Sequence, residues 1–90
     1  MEPLVIQQGT ENSFEGVIEY LNGSGYLRVS RATEEGYYSV SGGNITIFPF
    51  GSENAVMLDY FGDTVETIKA GEKNKSYSSL NIMPFHLEAV

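Results

Sequence analysis

Ninety residues are one domain's worth of chain, and an apolar fraction of 41% predicts a folded, soluble domain with one modest core. The absence of cysteine removes disulfide staples, thiolate catalysis and Cys-based zinc sites together, and suits a cytoplasmic location. A net charge of −7, from twelve acidic residues against five basic ones, argues against direct binding of DNA or RNA, which needs a basic field to displace counterions.

The opening MEPLVIQQ has no basic region and is not read as a secretory signal, and its PLVIQQG portion predicts a first strand ending at Gly9. SFEGVIEYLNG predicts the one helix, from about Ser13 to Leu21. Phe14, Val17, Ile18 and Leu21 fall on one apolar stripe. Asn12 or Ser13 is placed to cap it, Glu15 lies in the first turn where the helix dipole favours negative charge, and Gly23 and Gly25 stop it. YLRVSRA predicts the next strand, with Tyr26 and Arg28 on one face and Leu27 and Val29 on the other. YYSVS and NITIF flank Gly42-Gly43 as a hairpin. FPFGSEN is a loop, and AVMLDYFGDTVETIKA a second hairpin turning near Gly62-Asp63. AGEKNKSYSS reads as polar and mobile, and LNIMP as a closing strand. No apolar run approaches the roughly 20 residues of a membrane span. The expected architecture is α+β: a mostly antiparallel, twisted sheet with one amphipathic helix packed on it.

The chain offers little to a catalytic reading. GEKNKS lacks the glycine directly before the lysine that a phosphate loop requires, and GSG at 23–25 follows a helix where a dinucleotide fingerprint opens one. His86 is the single histidine, too few for a His-rich metal site, and no EF-hand spacing occurs. Asp59, Asp63 and Glu66 surround one hairpin and have the types of an acid–base set. Charges on strands and turns more often serve to discourage edge-to-edge pairing. The tyrosines at 20, 26, 37, 38, 60 and 77 lack the basic interleaving of a nucleic-acid stacking platform and are read as sheet core and sheet surface. No catalytic, cofactor-binding or metal residue is assigned, and the chain is read as a non-enzyme.

GYLRV, EEGYYSVSGG, TIFPFGSE and LDYFGDTVETI, taken together over 25–68, resemble the UvrB-interaction domain of bacterial transcription-repair coupling factors. The helix SFEGVIEYLNGSGY and the closing NIMP also fall where that family has a helix and a final strand. The Phe-Gly-Asp run followed by Glu and Ile is shared with the second domain of the excinuclease subunit UvrB, whereas FPFGSE is closer to the coupling factor. The resemblance implies that residues 1–90 are a single module, excised from a large ATP-dependent DNA translocase or standing alone. It implies a non-catalytic role, recruiting the nucleotide excision repair protein UvrA to lesions that stall RNA polymerase. It also implies a second contact, with the C-terminal domain of the parent protein.

Certain positions depart from the family pattern. Ser41 stands where the family has an arginine before the hairpin glycine, Ser39 where UvrB-like members carry another, and Thr46 where the family has Asp. Arg28 is then the one partner-binding residue that the resemblance carries over. Two other readings stand beside the first: an intramolecular docking or scaffold domain that has lost UvrA binding, and the equivalent domain of UvrB itself.

Overall fold

The computed structural model describes residues 1–70 and 75–86. Strand β1 (Leu4–Gln7) leads into helix α1 (Phe14–Gly23), followed by β2 (Leu27–Arg28), β3 (Tyr37–Ser41), β4 (Asn44–Ile47), β5 (Val56–Phe61), β6 (Thr64–Ala70), β7 (Lys75–Ser76) and β8 (Ser79–Ile82). Strands β2 to β7 lie in sequence order in a six-stranded sheet, while β1 and β8 form a two-stranded ribbon of their own. All pairings are antiparallel except β2 with β3. The α+β architecture is therefore as expected, with the refinement that the first and closing strands pair with each other rather than joining the main sheet.

The helix forms where the apolar stripe begins. Ser13 is its N-cap and accepts a hydrogen bond from the Gly16 amide at 3.1 Å. The helix runs two residues past Leu21 and ends on Gly23, one of the two glycines expected to stop it, and the chain reverses at Ser24 and at Gly25, whose φ is +97°. Val17, Ile18 and Leu21 are buried, and Phe14 sits edge-on to Tyr60 with ring centroids 5.0 Å apart. Helix and ribbon cover the same side of the main sheet. Ile6 from β1 and Ile82 from β8 are buried in one core with Tyr38, Ile45, Ile47, Leu58, Val65 and Ile68.

Strand alternation sends the β3–β6 side chains to two faces, and burial alternates accordingly in β4 and β5. The register is interrupted once. Asp59 pairs with Thr67 and Tyr60 with Val65, so Glu66 is an extra residue on β6 and the strand bulges there. Of the segment read as polar and mobile, residues 71–74 lie outside the described residues. Lys75–Ser76 pairs with β6, and Ser79 opens β8.

Tyr26 fastens one end of the molecule. Its hydroxyl donates to the Met83 carbonyl at 2.7 Å and accepts from the Phe50 amide at 3.0 Å, and its ring lies 4.5 Å from that of Phe50. Phe50 in turn meets Phe85 at 5.6 Å. This corner holds the loop after β4 and the segment after β8 against the start of β2. Gly36 is needed beside it, because a Cβ there would come within 2.6 Å of the Phe50 ring. Among the described residues no helix is long and apolar enough to cross a membrane.

Candidate functional site

An antiparallel sheet can pack one face and leave the other to solvent or a partner. Here the packed face carries Tyr38, Ile45, Ile47, Leu58, Tyr60 and Val65. The other face is open. Register sets its rows: Ser39, Thr46, Met57, Lys69 and Ser76 lie side by side across β3–β7, and Ser41, Asn44, Asp59 and Thr67 form the next row. Most of these side chains are half-buried by their neighbours. Phe61, at the end of β5, is 76% exposed, and Leu27 on the edge strand is 58% exposed.

The residues singled out in the sequence divide between the two faces. Leu27 pairs with Tyr37 and Arg28 with Tyr38, and partners in a ladder share a face. Arg28 therefore lies on the helix side of the sheet, at its outer edge, where it is exposed. Ser39, Ser41 and Thr46 lie on the open side. Arg28 and Ser41 do not share a surface, so a partner lying flat on the open face does not meet both.

The carboxylates of the second hairpin are largely occupied in holding the fold. Gly62 takes a φ of +60° to turn the chain. Asp63 then reaches back to the helix: its Oδ1 accepts from the Phe14 amide at 2.9 Å, and its carbonyl accepts from the Asn12 amide at 2.7 Å. Asp59 lies beside Asn44 across the strands, and the Asn44 amide, turned so that its nitrogen faces the carboxylate, donates to Asp59 Oδ1 at 2.7 Å. Glu66 is exposed on the bulge. The sequence showed the turn but not its use as a helix cap, because the two ends of that bond are 49 residues apart.

Two tyrosines on the packed side hold their protons strongly. Burial pushes the Tyr26 hydroxyl up to about 12, against a smaller opposing effect of its hydrogen bond with Phe50. Burial, with the nearby Asp63 charge adding to it, pushes Tyr60 up to about 12. The Tyr60 hydroxyl finds no partner among the described residues. A cleft of about 230 Å³ is lined by Met1, Gly23, Ser24, Gly25, Pro84 and Phe85. Among the described residues that lining has no acidic, basic or histidine side chain with which to build acid–base chemistry, and His86 lies exposed nearby in sequence.

The family model described as UvrB interaction domain matches residues 4–87. The chain is 27% identical over 88 residues to the transcription-repair-coupling factor of Escherichia coli strain K12, covering 92% of the chain and 8% of that protein. It is 30% identical over 88 residues to the protein of the same name from Haemophilus influenzae, with the same coverage of 92% and 8%. To that of Mycobacterium bovis it is 33% identical over 69 residues, or 77% of the chain and 6% of the relative. The chain thus spans less than a tenth of the length of the curated relatives it matches.

Proposed function

From its membership of the UvrB interaction domain family, to which a match over residues 4–87 assigns it, we propose that the chain is a non-catalytic docking module of a transcription-repair coupling factor, and that it recruits UvrA. The observation that carries this reading is the open face of the six-stranded sheet, with the Phe61 side chain 76% exposed at its end. A solvent-facing sheet is common, but a large aromatic standing free of it is the kind of side chain that anchors interfaces. The sheet beneath is held by the Asp63 cap and by a continuous core, so the face is presented in one shape. Pre-organisation of this kind reduces the entropy lost on docking.

The parent protein, in this reading, is an ATP-driven DNA translocase acting in the cytoplasm. Its motor lies in the part of the relatives that this chain does not cover. The chain itself supplies recognition, and a contact with the C-terminal domain of the parent would compete for the same face.

Calorimetric titration of UvrA from the same organism into the 90-residue chain tests the proposal. Saturable binding is expected, and Phe61→Ala should weaken it by roughly 30-fold or more, corresponding to about 2 kcal/mol for a central aromatic anchor. Arg28→Glu tests whether the contact also wraps around the β2 edge to the helix side. Absence of binding by the unsubstituted chain at tens of micromolar would sink UvrA recruitment and favour the intramolecular docking reading.

A further inference from the structure

Of the asparagines at 12, 22, 44, 54, 74 and 81, only Asn22 is followed by glycine. We propose that Asn22-Gly23 is a site of spontaneous deamidation, that the folded helix end keeps it silent, and that the Tyr38 hydroxyl is one of its restraints. The chemistry needs only water. The Gly23 backbone nitrogen attacks Asn22 Cγ, the new N–Cγ bond forms as the Cγ–Nδ2 bond breaks, and the amide proton leaves with Nδ2 as ammonia. Water then opens the cyclic imide at either carbonyl, leaving aspartate or isoaspartate. Glycine favours the attack because no Cβ hinders its nitrogen.

The fold opposes each requirement. Asn22 and Gly23 are the last two residues of α1. Closing the ring turns Asn22 ψ out of the helical well, and it needs a free Gly23 N–H, which in a helix is bonded to the carbonyl four residues back. The side chain is held too. Asn22 Oδ1 accepts from the Tyr38 hydroxyl at 2.5 Å, and Tyr38 is fully buried. The chain beyond is tied down: the Ser24 amide donates to the Tyr20 carbonyl at 2.9 Å, the Tyr26 amide to the Leu21 carbonyl at 3.0 Å, and the Phe85 amide to the Ser24 carbonyl at 2.8 Å. Reaction therefore waits on an opening of this corner. The product is poorly housed when the corner recloses. The last turn of α1 has no basic side chain, and a carboxylate at position 22 meets the negative end of the helix dipole.

Mass spectrometry tests this on the 90-residue chain, incubated at mildly alkaline pH in buffer and in guanidinium chloride and then cut with trypsin. In denaturant Asn22 should be modified before the other asparagines. In buffer its rate should be lower by on the order of a hundredfold, because only the opened fraction reacts. Tyr38→Phe keeps the ring and should speed the reaction in buffer by about fivefold, the factor of one neutral hydrogen bond, with no change in denaturant. Asp63→Ala loosens the opposite end of α1, where Asp63 accepts from the Phe14 amide, and should leave the rate in buffer unchanged. Gly23→Ala should suppress the reaction in denaturant. A Cβ there meets only Met1 Cε, at 3.7 Å, so its circular dichroism should match that of the unsubstituted chain. Earlier modification of another asparagine in denaturant overturns the site, and equal rates in buffer and denaturant overturn its protection by the fold. A rate in buffer unmoved by Tyr38→Phe, or raised alike by Tyr38→Phe and Asp63→Ala, overturns the local role of Tyr38.

Discussion

Asp63 satisfies the Phe14 amide at 2.9 Å while Ser13 satisfies that of Gly16 at 3.1 Å, so two of the helix's four free N-terminal donors are met by side chains. A cap of this kind is worth about 1 kcal/mol. Asp63→Ala should therefore lower the unfolding free energy by about that amount, whereas Asp63→Asn, which can still accept, should lose less; urea denaturation of the pair measures the difference. Tyr60 and Tyr26 make a second contrast. Both hydroxyls are pushed up to about 12, against about 10 in an unfolded chain. Between those values the unfolded state has lost protons that the native state keeps, so stability is full below pH 10 and falls as the pH rises toward 12. Tyr60→Phe removes one such group together with a hydroxyl that has no partner among the described residues. It should leave stability at pH 7 unchanged or raised, and should soften the alkaline loss. Tyr26→Phe also softens that loss, but at pH 7 it leaves the Met83 carbonyl and the Phe50 amide without their partner, at a cost of about 1–3 kcal/mol. If chemical denaturation at pH 7 gives both phenylalanine variants the same stability, the bridging role of Tyr26 is wrong.

At the scale of elements, what the sequence revealed tracks how local the cause is. The helix was legible because Phe14, Val17, Ile18 and Leu21 carry its period and Ser13 its start. Both hairpins were legible because Gly42 and Gly62 supply the left-handed turn conformations, at φ of +56° and +60°. Gly43 has a different use: a Cβ there would stand 3.3 Å from the Tyr60 carbonyl oxygen, whose residue's amide donates to the Gly43 carbonyl at 2.9 Å. That close approach belongs to β5 and has no signature in the hairpin itself. The β1–β8 ribbon was half legible, since each strand was visible and their mutual pairing, across the whole chain, was not. Leu21 tests the docking of the helix. It is 0% exposed, and Leu21→Ala should cost about 2–5 kcal/mol. A melting temperature unmoved by the substitution would show that the helix contributes little to the core.

For the molecule as a whole, the sequence showed an α+β domain and its family resemblance, but not which side of the sheet is open. That depends on where the helix and ribbon lie, and for Arg28 on the parallel register of a strand only two residues long. Periodicity cannot fix the face of so short a segment; the Arg28–Tyr38 pairing does. Charge is the property that length and composition do predict at this scale. The described residues extend 42 × 26 × 24 Å. At 10 mM salt the screening length is about 30 Å, comparable with those dimensions, and at 150 mM it is about 8 Å. A charge of −7 therefore repels itself across the whole domain at low salt and only among neighbours at physiological salt. The melting temperature should rise as NaCl goes from 10 to 150 mM. Glu19→Gln removes an exposed charge on the solvent side of the helix. It should raise the melting temperature at 10 mM by more than at 150 mM, because only the long-range part of the repulsion is screened. Scanning calorimetry of the two proteins at both concentrations measures the four values. An equal shift at both salts would assign the gain to local helix preference rather than to the field of the whole molecule.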